Sequence, residues 1–355
     1  MEKFLSISEV SKIIGVSKET LRRWDNDGKF KSIRHPINNY RVYPEPQVVT
    51  LAEELQLELE YNKTTRKNIK PYIQTNFGEL YQLDVMDFLK MQEDNSVDLI
   101  FADPPYNIKK AQWDTFSSQK EYVEWSMNWI RQAFRVLKDT GSLYICGFSE
   151  ILADLKWAAA PMFKGCKWLV WYYRNKANLG NDWGRSHESI LHFRKSKSFT
   201  FNIDEARIPY NEHTTKYPKR TQADTSQYSN SKKKNNYIWE PHPKGAKPKD
   251  VFEIPTISNG SWEKYPHKTQ KPIELLRKII LSSSTPDSLI IDPFGGSGTT
   301  YAVSEAYERK WMGNDISEEY CKIIKDRLYD KDHISRIASS KDEIESQKRR
   351  KQLRG

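Results

Sequence analysis

The segment Asp103-Pro104-Pro105-Tyr106 places a carboxylate, two prolines and an aromatic ring in succession. It directly follows Val97-Asp98-Leu99-Ile100-Phe101-Ala102, a run that reads as a buried strand, so the four residues are expected at that strand's C-terminal edge. Prolines fix the backbone and lack an amide donor, which leaves carbonyls free for donors from outside. An exocyclic amine on a nucleobase offers two hydrogens. A carboxylate and a proline carbonyl can accept both while the ring of Tyr106 stacks on the base. Such hydrogen bonds draw the amine towards tetrahedral geometry and localise its lone pair for attack on an electrophile. A proline turn with an incidental acid is the competing reading.

A second segment, Asp292-Pro293-Phe294-Gly295-Gly296-Ser297-Gly298-Thr299-Thr300, falls where a short apolar strand turns into a helix. Glycines there let backbone approach a ligand closely, at the position where α/β sheets bind nucleotide-like molecules. Asp315, at the end of the next expected strand, can accept hydrogen bonds from ribose hydroxyls. The run Gly296-Ser297-Gly298 lacks the third glycine of a dinucleotide fingerprint and no lysine follows it, which disfavours NAD and P-loop nucleotides alike.

These residues need a scaffold. From about Phe77, strand patterns over 80–84, 97–101, 142–146, 168–173, 189–193, 289–291 and 311–314 alternate with helical patterns over 85–91, 125–137, 272–281 and 300–307. The alternation implies an α/β fold with a Rossmann-like, doubly wound, mostly parallel sheet. The N-terminal sixty residues read separately. Ser6-Ile7-Ser8-Glu9 is a capping-box pattern for a helix with Val10, Ile13 and Ile14 on one face, and Gly15 ends it. Ser17 caps a second helix, 18–24, with Leu21 and Trp24 inward and Lys18, Arg22 and Arg23 outward. A hairpin turning at Asn38-Asn39 and reaching Tyr40-Arg41-Val42-Tyr43 completes a winged helix-turn-helix. The expected organisation is a DNA-binding domain over 1–60, a helix-like stretch over 53–70 that passes into a linker over 61–76, a catalytic domain over 77–330 and a charged tail over 331–355.

The chain has 355 residues, 57 Lys and Arg against 47 Asp and Glu, a formal charge of +10 and 37% hydrophobic residues. That composition suits a globular protein and excludes collagen, coiled coil and wholesale disorder. No apolar run is long enough for a membrane span and no signal peptide opens the chain, so a cytoplasmic protein is expected. Cys146, Cys166 and Cys321 lack metal-ligand or disulfide spacing, and no metal is expected. Residues 206–250 hold ten basic and four acidic residues, over half of the surplus, which points to a polyanion such as nucleic acid.

Together, the two chemistry-bearing segments resemble those of the DNA amino-methyltransferases, which methylate adenine N6 or cytosine N4 with S-adenosylmethionine. The resemblance covers about Phe77 to Leu328, and the order, catalytic segment before glycine loop, is that of the permuted β group. It implies S-adenosylmethionine as cofactor, with Asp84 near its adenine beside Val85, and contacts from His267, Lys268, Asp292, Phe294, Gly295, Gly296, Ser297, Gly298 and Asp315. His267-Lys268-Thr269-Gln270-Lys271-Pro272 resembles the family segment preceding the helix before the loop, with Lys268 where proline is common; Thr269 is expected to cap that helix. Trp171 to Asn175 and His187-Glu188-Ser189-Ile190-Leu191 also match the family and are assigned mainly to packing. The first sixty residues resemble the winged helix-turn-helix of MerR-type regulators, without their usual effector-binding part.

The resemblance further implies direct transfer of the sulfonium methyl to a flipped-out base in double-stranded DNA. Asp103 favours adenine N6, because cytosine-N4 enzymes more often carry Ser there. The absence of a Pro-Cys nucleophile disfavours cytosine C5. Residues 195–262 lie where this group places target recognition, and Lys232, Lys233 and Lys234 with Tyr228, Tyr237 and Trp239 suit contacts to phosphate and base. The expected function is a site-specific adenine methyltransferase, monomer or homodimer, of a restriction-modification system with a cognate restriction endonuclease; an N4-cytosine DNA methyltransferase and a cofactor-sensing DNA-binding regulator are the alternatives.

Overall fold

A computed structural model describes residues 4–35, 38–54, 69–107, 115–175, 181, 183–221 and 238–339. The chain divides into two compact units between residues 70 and 71. In the first, β1 (Phe4–Ser6), β2 (Ile33–Arg34) and β3 (Arg41–Pro44) form an antiparallel sheet in the order β1-β3-β2, around α1 (Ile7–Ile14), α2 (Lys18–Asn26) and a helix α3 running from 45 to 54. The Ser6 hydroxyl accepts from the Glu9 amide (3.3 Å) while the Glu9 carboxylate accepts from the Ser6 amide (2.8 Å), the reciprocal cap read from the sequence. Gly15 ends α1 in the left-handed region, at φ +76°. Asp25 accepts from Arg41 Nε (2.6 Å) and the Ser32 amide (2.8 Å), fastening the hairpin to α2. Leu5, Val10, Leu21, Phe30, Tyr43 and Val48 form the core. Two details differ from expectation: Ile13 is half exposed, and α3 starts at 45, well before the helix-like stretch at 53.

The second unit contains β4 (Ile73–Gln74), β5 (Gly78–Tyr81), α4 (Val85–Lys90), β6 (Val97–Ala102), α5 (Gln119–Val136), β7 (Leu137–Gly147), α6 (Ser149–Ala159), β8 (Gly165–Tyr172) and β9 (His187–Arg194). It continues through α7 (Ile203–Ala206), α8 (Glu212–Lys216), β10 (Arg220–Thr221), β11 (Ile238–Trp239), β12 (Val251–Glu253), α9 (Ile273–Ser283), β13 (Leu289–Asp292), α10 (Thr299–Ala306), β14 (Lys310–Asn314) and α11 (Glu318–Tyr329). Nine strands form one sheet in the order β12-β8-β9-β7-β6-β13-β14-β5-β4. Five of its pairs run parallel, β12/β8, β7/β6, β6/β13, β13/β14 and β14/β5, as the alternating pattern implied. The hairpin β8–β9 and the pairings β9/β7 and β5/β4 are antiparallel.

The expected limits of 77 and 330 are both too narrow. Strand β4 already belongs to the sheet, and residues 331–339 are helical, with His333 and Ile337 buried against the body, so this apolar spacing makes the start of the charged tail part of the fold. Among the described residues no helix is long and apolar enough to cross a membrane.

Strands β6 and β13 are neighbours, yet β6 leads through α5 to β7 on one side and β13 leads through α10 to β14 on the other. Successive connections that part in this way open a crevice beyond the strands' carboxyl ends. On the far side of β13, Gly78 lies opposite Trp311 in the β5/β14 register, and a Cβ there would come within 2.3 Å of both the indole and the Trp311 carbonyl oxygen. Trp311 stacks on Tyr301 at 5.0 Å and has no room to yield. Gly78→Ala is expected to lower the free energy of unfolding by about 1–3 kcal/mol, read from denaturant titration.

Candidate active site

Asp103 emerges from the end of β6 into that crevice. Its Oδ1 accepts a 2.5 Å hydrogen bond from the Tyr106 hydroxyl, which also lies 3.3 Å from Glu188 Oε2. Its Oδ2 accepts from Lys271 Nζ at 2.6 Å, and the same ammonium is 3.5 Å from Glu188 Oε2. The Tyr122 hydroxyl donates to the Pro105 carbonyl (2.7 Å) and braces the proline turn, whereas the Pro104 carbonyl accepts no hydrogen bond from the described residues. The Tyr106 ring meets Phe148 edge-on at 5.0 Å. Burial, with Asp103 and Glu188 adding to it, pushes the Tyr106 phenol well above its ordinary pKa, so it stays a donor. Burial also raises the Cys146 thiol beneath the site, which removes it as a nucleophile.

Opposite, the turn between β13 and α10 is built from the inside. Asp292 accepts from the Phe294 amide (3.0 Å) and the Thr300 hydroxyl (2.5 Å), and burial raises its pKa well above the carboxylate range. Gly298 adopts φ +71° and precedes the first turn of α10. A Cβ on Gly295 would fall within about 3 Å of the Tyr301 hydroxyl, Ile324 and the Asn314 carbonyl. Asp315 accepts from the amides of Gly296 (2.7 Å) and Ser317 (2.9 Å); burial lifts its carboxyl to about 6 against those bonds. Asn314 joins the third wall: its amide side chain accepts from the Leu83 amide (3.0 Å) and donates to the carbonyls of Leu83 (3.1 Å) and Pro293 (3.3 Å), setting Asp84 beside the glycine turn.

A single cavity of about 520 Å³ receives both segments. Asp103, Pro104, Pro105 and Tyr106 line it, as do Asp84, Val85, His267, Lys268, Asp292, Phe294, Gly295, Gly296, Ser297 and Asp315. Gly298 forms the turn behind the wall and does not line it. Asp292, expected as a ligand contact, has both oxygens engaged within the turn. Burial holds His267 down to about 4, so it is neutral near pH 7, and its ring packs edge-on against Tyr320 at 4.7 Å. Thr269 does not cap α9: Pro272 is the N-cap, and the Glu263 carboxylate accepts from the Ile273 amide (2.9 Å).

Glu188 and Trp171, assigned to packing, also line the cavity, because the β8–β9 register sets them opposite each other. Lys271 was not singled out at all. A charged residue opening an otherwise apolar strand and a lysine directly before a helix-starting proline were the signals that marked them. In the first unit Lys18, Arg22 and Arg23 are exposed on α2, with Arg22 paired to Glu19 at 2.9 Å. Lys232, Lys233, Lys234, Tyr228 and Tyr237 lie outside the described residues, while Trp239 packs edge-on against Tyr210 at 5.9 Å. The stretch 195–262 supplies β12 to the central sheet and Thr256 and Ile257 to the cavity wall. Among the described residues no three His, Cys, Asp or Glu side chains cluster to hold a metal.

Residues 97–326 match the model of the DNA methylase family, and residues 6–43 match that of the MerR family regulatory protein. The type II methyltransferase M1.MboII of Moraxella bovis is 33% identical over 257 residues, covering 68% of this chain and 93% of that protein. The DNA adenine methyltransferase YhdJ of Escherichia coli strain K12 is 34% identical over 260 residues, covering 71% of this chain and 83% of that one. Among solved structures, the PvuII DNA methyltransferase, described as cytosine-N4-specific, shares the fold with a TM-score of 0.56 at 19% identity, over 77% of this chain and 96% of that chain.

The glycine turn tests its own construction. A Cβ on Gly298 would press on Ile324 at 3.0 Å in addition to its left-handed backbone. Gly298→Ala is expected to destabilise the protein by about 1–3 kcal/mol in chemical unfolding. Adding Ile324→Val, which keeps the Cγ1, Cγ2 and Cβ atoms that the new methyl would meet, should not restore the lost stability.

Proposed function

The chain belongs to the DNA methylase family of N6/N4 amino-methyltransferases, and from that premise we propose that it methylates the N6 amine of adenine in duplex DNA. S-Adenosylmethionine is the cofactor of this class and, when bound, supplies an electrophilic methyl group whose bond to the sulfonium sulfur breaks as the nitrogen–carbon bond forms, the sulfur leaving as a neutral thioether. The cavity suits it: Gly295 and Gly296 lack side chains where a Cβ would crowd Tyr301 and His267, and Asp315 turns a buried carboxylate onto the same wall. Asp84, Val85, Phe294, Ser297 and Asp315 would hold the cofactor, with His267 against Gly296 and Lys268 next to it on the same wall.

The observation that carries the adenine reading is Asp103, a carboxylate fixed by two donors beside the open carbonyl of Pro104. Asp103 accepts one hydrogen of the target amine and takes its proton as nitrogen becomes bonded to carbon; the Pro104 carbonyl accepts the other. Tyr106 stacks on the base, which must leave the duplex to reach this depth. The likeness to a DNA adenine methyltransferase supports the same base. Lys18, Arg22 and Arg23 contact the duplex from the N-terminal unit, Lys232, Lys233 and Lys234 contribute from 195–262, and the protein serves as the modification partner of a restriction endonuclease that reads the same sequence.

Duplex DNA incubated with methyl-labelled S-adenosylmethionine and digested to nucleosides should carry label in N6-methyldeoxyadenosine. Label confined to N4-methyldeoxycytidine would overturn the base. Asp103→Ala should lower transfer by about 10²- to 10⁴-fold while cofactor still binds.

Asp315 gives binding a pH signature. As a carboxylate it can accept from ribose hydroxyls as well as from its two backbone amides, and protonation turns one oxygen into a donor and weakens the other as an acceptor; its raised value near 6 puts the change within reach. Cofactor affinity should be flat above about pH 7 and weaken by up to about tenfold per unit as pH falls below about 6. Calorimetry across that range checks this, and Asp315→Ala should bind weakly with the slope gone.

A further inference from the structure

Lys271 appears in the mechanism above only as a donor to Asp103 and Glu188 not at all, yet both sit at its centre. Lys271 is 6% exposed, and its ammonium lies between Asp103 (2.6 Å) and Glu188 (3.5 Å). Burial opposes its charge, but the two carboxylates outweigh burial and hold its pKa above that of an ordinary lysine. The group therefore stays an ammonium and cannot take the amine's proton. What it can do is donate.

Its backbone is anchored on the other side of the cavity. The Thr299 hydroxyl donates to the Lys271 carbonyl (3.0 Å), and buried Arg327 of α11 donates to Thr299 Oγ1 (2.9 Å) and the Ser297 carbonyl (3.0 Å). One residue thus ties the start of α10, next to the glycine turn, to the acid at the end of β6. Asp103 alone could rotate about its side-chain torsions. With Tyr106 on Oδ1 and Lys271 on Oδ2 its plane is fixed, and each oxygen keeps a lone pair for the amine.

We propose that Lys271 and Glu188 are positioning residues of methyl transfer: Lys271 holds the Asp103 carboxylate in the orientation that meets the amine, and Glu188 holds the Lys271 ammonium and the Tyr106 hydroxyl. This rests on the reading of the cavity as the site of transfer to DNA. A donor set rigid before substrate arrives lowers the reorganisation needed at the moment of reaction, and small misplacements are expensive in rate.

The test uses the full chain with duplex DNA and labelled S-adenosylmethionine. Lys271→Met leaves Asp103 and Glu188 facing each other uncompensated, so it is paired with Lys271→Met/Glu188→Gln, which restores the wild-type charge of the cluster without the lysine. Both variants should lose about 10²-fold in kcat. Glu188→Gln alone should lose about tenfold, and KM for DNA and cofactor should stay within about threefold of wild type in all three. The double variant should melt near the wild-type temperature and so decides the matter even where Lys271→Met folds poorly. Recovery of wild-type kcat in the double variant would reduce Lys271 to charge compensation and overturn the proposal. A raised KM for cofactor with unchanged kcat would make Lys271 a cofactor ligand and overturn it equally. Wild-type protein that transfers no label to DNA would instead bring down the underlying reading, and this proposal with it.

Discussion

Parallel pairing of β6 with β13 is the constraint on which the site depends. The register sets Ile290 against Leu99 and Ile291 against Ile100, so the two strands end side by side and release Asp103 and Asp292 into one crevice. Backbone hydrogen bonds in a buried sheet allow no sliding, because a one-residue slip would turn every apolar side chain to the wrong face. The neighbouring strand ends are then locked to this pair. Tyr301 donates to the Asp292 carbonyl (2.7 Å) and accepts from the Asn314 amide (3.0 Å), while Asn314 carries Leu83 and Asp84 in from the next strand. Three loops from distant parts of the chain are thereby held to one geometry by the sheet.

The cavity's electrostatics follow from the same enclosure. Asp84, Asp103, Glu188, Asp292 and Asp315 share it with Lys264, Lys268 and the buried Lys271. Burial raises Asp292 and Asp315, and the ion pair keeps Lys271 charged. An acidic, partly desolvated chamber suits a cationic sulfonium and the positive charge that develops on a nitrogen being methylated. A neutral His267 against Gly296 adds shape to that chamber without adding charge.

Outside the cavity, the basic surplus is less free than its count suggests. Arg207 and Lys244 both pair with Asp204 (2.7 and 2.9 Å), and Lys219 pairs with Glu240 (3.1 Å). The Lys244 and Lys219 pairs are solvent-exposed and individually weak, so a phosphate could replace either acid at little cost. Arg207, mostly buried, also donates to the Gly245 carbonyl (2.9 Å) and belongs to the loop's framework. In the N-terminal unit, Arg41 is likewise structural through Asp25, which leaves Lys18, Arg22 and Arg23 as the outward cations of α2.

The local features were legible in the sequence. Capping residues at Ser6 and Ser17, the helix break at Gly15, the strand–turn–helix at Asp292 to Thr300 and the proline-braced acid after β6 all depend on neighbours within a few residues, and local backbone chemistry is what a sequence spells out. The β8–β9 hairpin, the extension of the fold to 73 and to 339, the loss of Thr269 as a cap to Glu263, and the inward placement of Glu188 and Lys271 were decided by tertiary structure. Each depends on a partner far away in the chain: Glu188 becomes part of the site only because β9 pairs with β8 and because Lys271 arrives from beyond it. A charged side chain is buried only where hydrogen bonds or an opposite charge meet it, and Glu188 and Lys271 meet each other. Which two charges meet is a property of the packed sheet, and that is where the sequence alone stops.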